Sequence, residues 1–204
     1  MSHTMEDANL QNTKNLQVQG AYHGTAFVAA AVLWGAADSW SIASDLAVAD
    51  FFLLLSSVVF GIALSHIAHE WNHFLGAVRT GSKYTVKDKP AFLFFDFDYV
   101  NNTREQFLAM STGGLLGNSI LVLLVFILIP LDSAGRTLLL ATTVAMTVYV
   151  AVVEYAVIQR TRAGEEPLEV LTDHFGEGPT LFRRAKNKAT VSGLGLWALL
   201  LLVF

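Results

Sequence analysis

The sequence predicts an all-α polytopic membrane protein of about five transmembrane helices, with a short β-hairpin in one cytoplasmic loop. Three observations carry this. Apolar residues make up 53% of the 204-residue chain and charged residues only 15%, against about 25% charge in a soluble domain. The mean hydropathy is +0.49. The apolar residues also fall in blocks, at 21–37, 46–66, 107–131, 137–158 and 190–204, and a bilayer crossing takes roughly 17–25 such residues. We read the whole chain, 1–204, as one integral membrane domain.

Each element follows from its own stretch. The first span, about 21–37, lies behind a polar N-terminus with one cation, Lys14, and no small-residue cleavage site, so it is expected to be retained. The second, 46–66, keeps helical character to about 78. The third, 107–131, is closed by Pro130, and Gly113, Gly114 and Gly117 give it a small-residue face that lets helices approach closely. The fourth covers 137–158. The fifth, 190–204, is short and leans on Trp197, which with Trp34 and Trp40 reads as an interfacial anchor. Pro90, Pro167 and Pro179 mark two polar loops, 79–106 and 159–189.

Cations orient the chain. Twelve of the thirteen Lys and Arg lie in the N-terminus or those two loops, leaving Arg136 alone on the opposite side. The positive-inside rule then makes the N-terminus and both loops cytoplasmic, and the 38–45 and 132–136 connections and the C-terminus external. The expected location is a bacterial inner membrane. With no cysteine there is no disulfide, thiolate metal site or cysteine nucleophile. A net charge of −4 gives no footprint for nucleic acid.

The stretch richest in chemistry is Ser65-His66-Ile67-Ala68-His69-Glu70-Trp71-Asn72-His73, where 69–73 reads HExxH. On a helix, positions i and i+4 share a face, so His69 and His73 can ligate one metal while Glu70 flanks the open coordination position as a general base. Four ionisable groups within eight residues at the cytoplasmic end of a span mark a site, because such groups are costly at membrane depth. His66 shares the face but lies about 10 Å along the axis from His73, which suits either a supporting contact to the site or ordinary packing. A third ligand is needed. The fourth span runs in the same direction as the second and brings Glu154 to similar depth, about 25 Å from Thr137, so Glu154 is the first choice. His23 and His174 are the second choices. Asp50 and Asp132 read as interfacial carboxylates.

These residues resemble the site-2 protease family of intramembrane zinc metalloproteases over roughly 50–130. His69-Glu70-Trp71-Asn72-His73 is followed by the loop text Phe92-Leu93-Phe94-Phe95-Asp96-Phe97-Asp98-Tyr99. Next come Asn102-Thr103-Arg104-Glu105-Gln106-Phe107 and then Gly113-Gly114-Leu115-Leu116-Gly117-Asn118. The resemblance implies zinc at His69 and His73, Glu70 as the catalytic base, a substrate-binding or helix-packing role for Gly113, Gly114, Gly117 and Asn118, and cleavage of a membrane-associated polypeptide. The chain departs from the family in two places. Leu115 follows the glycine pair where the family has proline, and no Leu-Asp-Gly stands on a later cytoplasmic-facing helix, since Asp132 falls on the opposite face. The aromatic run 92–99 suits an extended edge that captures a substrate backbone, or a loop resting its phenylalanines at the interface.

Rival readings place a haem between His23 and His66 or His69 in a redox membrane subunit, or keep the bundle as a scaffold or degenerate protease in a larger membrane complex. A di-iron hydroxylase fits less well, since the chain has six histidines. The lipid bilayer is a partner on every reading.

Overall fold

The computed structural model describes residues 2–44 and 46–204, with side chains from Leu10 onward. Six helices and one hairpin follow in the order α1 (Ser2–Ala43), α2 (Ala47–Arg79), β1 (Tyr84–Val86), β2 (Phe95–Phe97), α3 (Arg104–Leu128), α4 (Ala134–Arg162), α5 (Pro167–Gly176) and α6 (Pro179–Val203).

Local chemistry sets the boundaries. Past α2, Gly81 takes a left-handed φ of +63° and its N–H donates to the Val78 carbonyl at 3.0 Å, which turns the chain into the hairpin. Helix α3 opens on a capping box, with the Thr103 hydroxyl accepting from the Gln106 N–H and the Gln106 side chain accepting from the Thr103 N–H. Ser133 caps α4 through the Arg136 N–H. Helices α5 and α6 each carry a proline in their first turn.

Four helices are long and apolar enough to cross a membrane: Leu10–Ala43 within α1, then α2, α3 and α4. The expectation of five spans is therefore corrected to four among the described residues. The block 190–204 lies at the end of α6 behind Arg183, Arg184, Lys186 and Lys188, and fifteen residues rise only about 22 Å against a core of about 30 Å. Helix α6 lies antiparallel against α4 nonetheless: Gly193 faces Ala145 and Ala141, and the Trp197 indole donates to the Ala134 carbonyl at 3.0 Å. The loop expected at 159–189 is largely helical, holding the end of α4, all of α5 and the start of α6. Asp45, in the expected 38–45 connection, lies outside the described residues, and α1 itself runs through to Ala43.

The middle of the bundle is an apolar core of Phe60, Leu121, Val125, Leu139, Leu140 and Leu200. At the end remote from the hairpin, Arg136 grips both oxygens of Asp38, at 2.7 Å for the shortest contact, and reaches Asp132 at 2.7 Å. That fork ties α1 to α4. Helices α2 and α3 cross on glycines. A Cβ at Gly76 would strike the Ala109 carbonyl, one at Gly113 the Asn72 carbonyl, and one at Gly117 would sit 2.5 Å from the Asn72 amide. The small-residue face thus packs as expected.

Candidate metal centre

One turn of α2 separates His69 from His73 and brings their rings edge to face on one side of the helix, with centroids 4.3 Å apart. Helix α4 brings in Glu154. Its Oε1 lies 2.9 Å from His69 Nε2 and 3.2 Å from His73 Nε2, and the two Nε2 atoms are 2.9 Å apart. His69, His73 and Glu154 form the one His/Cys/Asp/Glu group among the described residues that could hold a metal ion. The triangle has edges of about 3 Å, a spacing that would let one ion meet all three atoms at the usual 2.0–2.1 Å from N and O ligands.

Proton accounting points the same way. His73 Nδ1 faces the Met110 carbonyl at 2.8 Å, and a carbonyl only accepts, so that nitrogen carries the ring's proton. Nε2 of neutral His73 then points a lone pair at a carboxylate oxygen and at His69 Nε2. With Glu154 ionised and both imidazoles neutral, at most one proton lies among these three atoms, an arrangement that suits a bound cation. Glu154 Oε2 is buried without a hydrogen-bond partner, an arrangement that is costly unless a cation or water meets it. Gly114 also packs directly on the His73 ring, since a Cβ there would clash with the ring's Cε1, Nε2 and Cδ2 atoms.

Glu70 is buried on the wall of the same cavity, of about 340 Å³, together with Lys87, Tyr99, Phe107, Leu171 and Phe175. Burial, and then the carboxylates of Asp96, Glu154 and Glu70, push the Tyr99 phenol above its ordinary value, so it stays a proton donor. The other candidates fall outside the cluster. The His23 Nδ1 accepts from the Trp71 indole at 3.0 Å, so its proton sits on Nε2, which donates to the Ala91 carbonyl at 3.2 Å. Both nitrogens are thereby engaged. His66 Nε2 lies 3.3 Å from the Phe92 carbonyl and its ring meets the Phe92 ring. His174, on α5, reaches the Val153 carbonyl at 2.7 Å, steadying the turn that presents Glu154. These three histidines position the walls of the site. Asn118 is buried with both amide atoms unpaired, and it does not line the cavity. Asp50 accepts from the Ser41 hydroxyl and Asp132 pairs with Arg136, both at the end remote from the hairpin.

The hairpin has one closed edge and one open edge. Tyr84, Thr85 and Val86 pair with Phe97, Asp96 and Phe95, and the ladder is extended by Lys87 N–H to Phe94 O at 2.9 Å and Asp98 N–H to Lys83 O at 3.1 Å. Val86 accordingly points its backbone groups away from β2, where α1 takes them up: Asn12 accepts from its N–H at 3.0 Å and Asn15 donates to its carbonyl at 2.8 Å. Further along, Gln19 donates to the carbonyls of Lys87 and Lys89 and accepts from the Ala91 N–H. By the same alternation Phe95 and Phe97 turn their N–H and C=O groups outward from β2, and both line the metal cavity. Asp98 closes the hairpin, accepting from the Val100 and Asn101 N–H groups and the Asn101 amide, and these bonds hold its carboxyl below the usual range.

No protein-family model matches this chain, and neither a curated protein nor a solved structure is significantly similar to it.

Several wall residues escaped the sequence. Leu171 and Phe175 stand four apart on a short amphipathic helix, a spacing that reads as a cavity-facing stripe only once α5 is seen to be a helix. Lys87 looked like one of many cytoplasmic cations. Asn12, Asn15, Gln19 and His23 recur at intervals of three and four, which is a helical polar face and the available signal for a partner there.

Proposed function

We propose that the chain is a membrane-embedded zinc metallopeptidase, similar to the site-2 proteases, that hydrolyses a membrane-associated polypeptide at the cytoplasmic side. The observation that carries the reading is the convergence of His69, His73 and Glu154 beside Glu70 in one cavity. A zinc ion held by the three ligands would polarise the scissile carbonyl and lower the pKa of water toward about 7.

The chain's own residues divide the remaining work. Glu70 takes the proton from the attacking water and passes it to the leaving amine. The outward backbone groups of Phe95 and Phe97 hold an extended substrate segment as an added strand. Phe107, Leu171 and Phe175 form apolar walls that limit water around the reacting carbonyl. Glu154 takes the third-ligand role that an aspartate fills in the resembling family, an assignment that rests on its place beside His69 and His73. The cations support the cytoplasmic placement, since eleven of the thirteen Lys and Arg lie within 79–104 or 160–188, the segments around the hairpin, α5 and the start of α6.

The test pairs metal content with hydrolysis in purified full-length protein. His69→Ala and Glu154→Gln should lose most bound zinc. Glu70→Gln should keep zinc and lower cleavage of an unfolded, membrane-tethered test polypeptide by at least about a hundredfold. Wild type with stoichiometric zinc and no cleavage would reduce the protein to a metal-holding scaffold. Zinc retained in both ligand variants would remove the site.

A further inference from the structure

A second cavity opens on the membrane flank of the bundle, away from the metal centre. Helices α4 and α6 bound it and α2 floors it with Val58 and Ile62. Small residues make the room: Ala141 and Ala145 on α4 face Ala189 and Gly193 on α6, where a Cβ at Gly193 would come within 2.8 Å of Ala145 Cβ. The volume is about 360 Å³ and the lining is almost wholly apolar. Thr142 spends its hydroxyl on the Leu138 carbonyl at 2.8 Å. A void of this character at membrane level does not hold water.

One end of the groove is different. There Lys186 from α6 and Tyr149 from α4 join the lining. Lys186 belongs to the run Arg183, Arg184, Lys186 and Lys188, of which Arg184 alone pairs with a carboxylate, Glu177, among the described residues. Tyr149 lies five residues before Glu154 on α4, so this end of the groove is about one and a half helical turns from that carboxylate. An ammonium bordering hydrocarbon is costly without a counter-charge, and no carboxylate among the described residues pairs with Lys186.

We propose that this groove seats one anionic phospholipid, with an acyl chain between α4 and α6 and the phosphate on Lys186. The chemistry is complementary at both ends: a long apolar slot for a chain, and an unpaired cation at its cytoplasmic mouth for a headgroup. Basic pockets between membrane helices on that side bind anionic lipids for the same reason. The site is independent of the peptidase reading, since none of its residues lines the metal cavity.

The test uses delipidated full-length protein incubated with mixed micelles of phosphatidylglycerol or phosphatidylcholine, with bound lipid counted by native mass spectrometry. Wild type should retain one phosphatidylglycerol in preference to phosphatidylcholine. Lys186→Gln should lower that preference by about fivefold, the worth of one cation near an anionic headgroup, and Lys186→Arg should preserve it. Met146→Trp, which fills the groove from α4, should exclude both lipids while thermal unfolding stays cooperative. Equal retention of the two lipids by wild type, or unchanged phosphatidylglycerol in Met146→Trp, would overturn the proposal. So would a dimer that Met146→Trp dissociates, since a second copy would then occupy the groove.

Discussion

His73 is fixed from three directions: the Met110 carbonyl holds its Nδ1, His69 and Glu154 face its Nε2, and the Cα of Gly114 leaves no space behind the ring. Gly114→Ala should therefore be felt at the metal. The added methyl must push the imidazole or pry α3 from α2, an overpacking cost of about 1–3 kcal/mol, and zinc per protein should fall with the loss of thermal stability. Unchanged zinc in a stable Gly114→Ala protein would mean that His73 has slack. At this scale the sequence was informative where helix geometry alone decides. HExxH puts His69 and His73 on one face whatever surrounds them, and depth counting along α4 is enough to pick Glu154. Tertiary contacts decide the rest. Nothing in the spacing of His23, His66 and His174 tells which backbone carbonyl each will meet, so ligand and wall were indistinguishable among them.

The hairpin is an element that could not stand alone, since two three-residue strands bury too little. The amide ladder on α1 holds it, and Gln19 is the centre of that ladder, fully buried with three hydrogen bonds to the 87–91 segment. Gln19→Leu keeps the volume and strands those backbone groups, at about 1–3 kcal/mol for each one left unpaired. Amide exchange at Ala91 should accelerate, and the metal site should survive because α2 and α4 hold it. Protection at Ala91 equal to wild type would show that the ring contacts of Phe94 with Trp71 and Phe74 suffice. The aromatic alternation near 95–97 announced a strand. Its anchor went unread because Asn12, Asn15 and Gln19 look like a solvated N-terminus until a strand edge lies across them. The 159–189 segment was taken for loop because its glycines and prolines interrupt any long apolar period, yet Pro167 and Pro179 sit in first turns, where they start helices.

Across the whole molecule, charge and hydrophobicity divide cleanly. The metal cluster, the hairpin and all cations but Arg136 gather toward one end, and the Arg136 fork with Asp38 and Asp132 closes the other. Reporters fused after Gly81 or Gly164 should behave as cytoplasmic, and one placed at Ser133 as external. The reverse pattern would turn the cluster to the outer face. The number of crossings was harder to read than their existence, because the last block is apolar enough but too short, and α6 reaches the start of α4 only by beginning in a basic stretch.

The hairpin's two unlike edges carry one further consequence. On the proposed reading, a substrate meets backbone N–H and C=O groups at Phe95 and Phe97, and these are the same in every peptide. Selection at that edge is then conformational and largely indifferent to side-chain identity. A segment still wound as a helix has its own backbone groups occupied and is refused, whereas the same segment, once unwound by a proline, a glycine pair or an earlier cut, is accepted. Control over turnover would lie with whatever governs the substrate's helical stability, and point changes that tighten or loosen that helix should matter more than changes of residue at the cut.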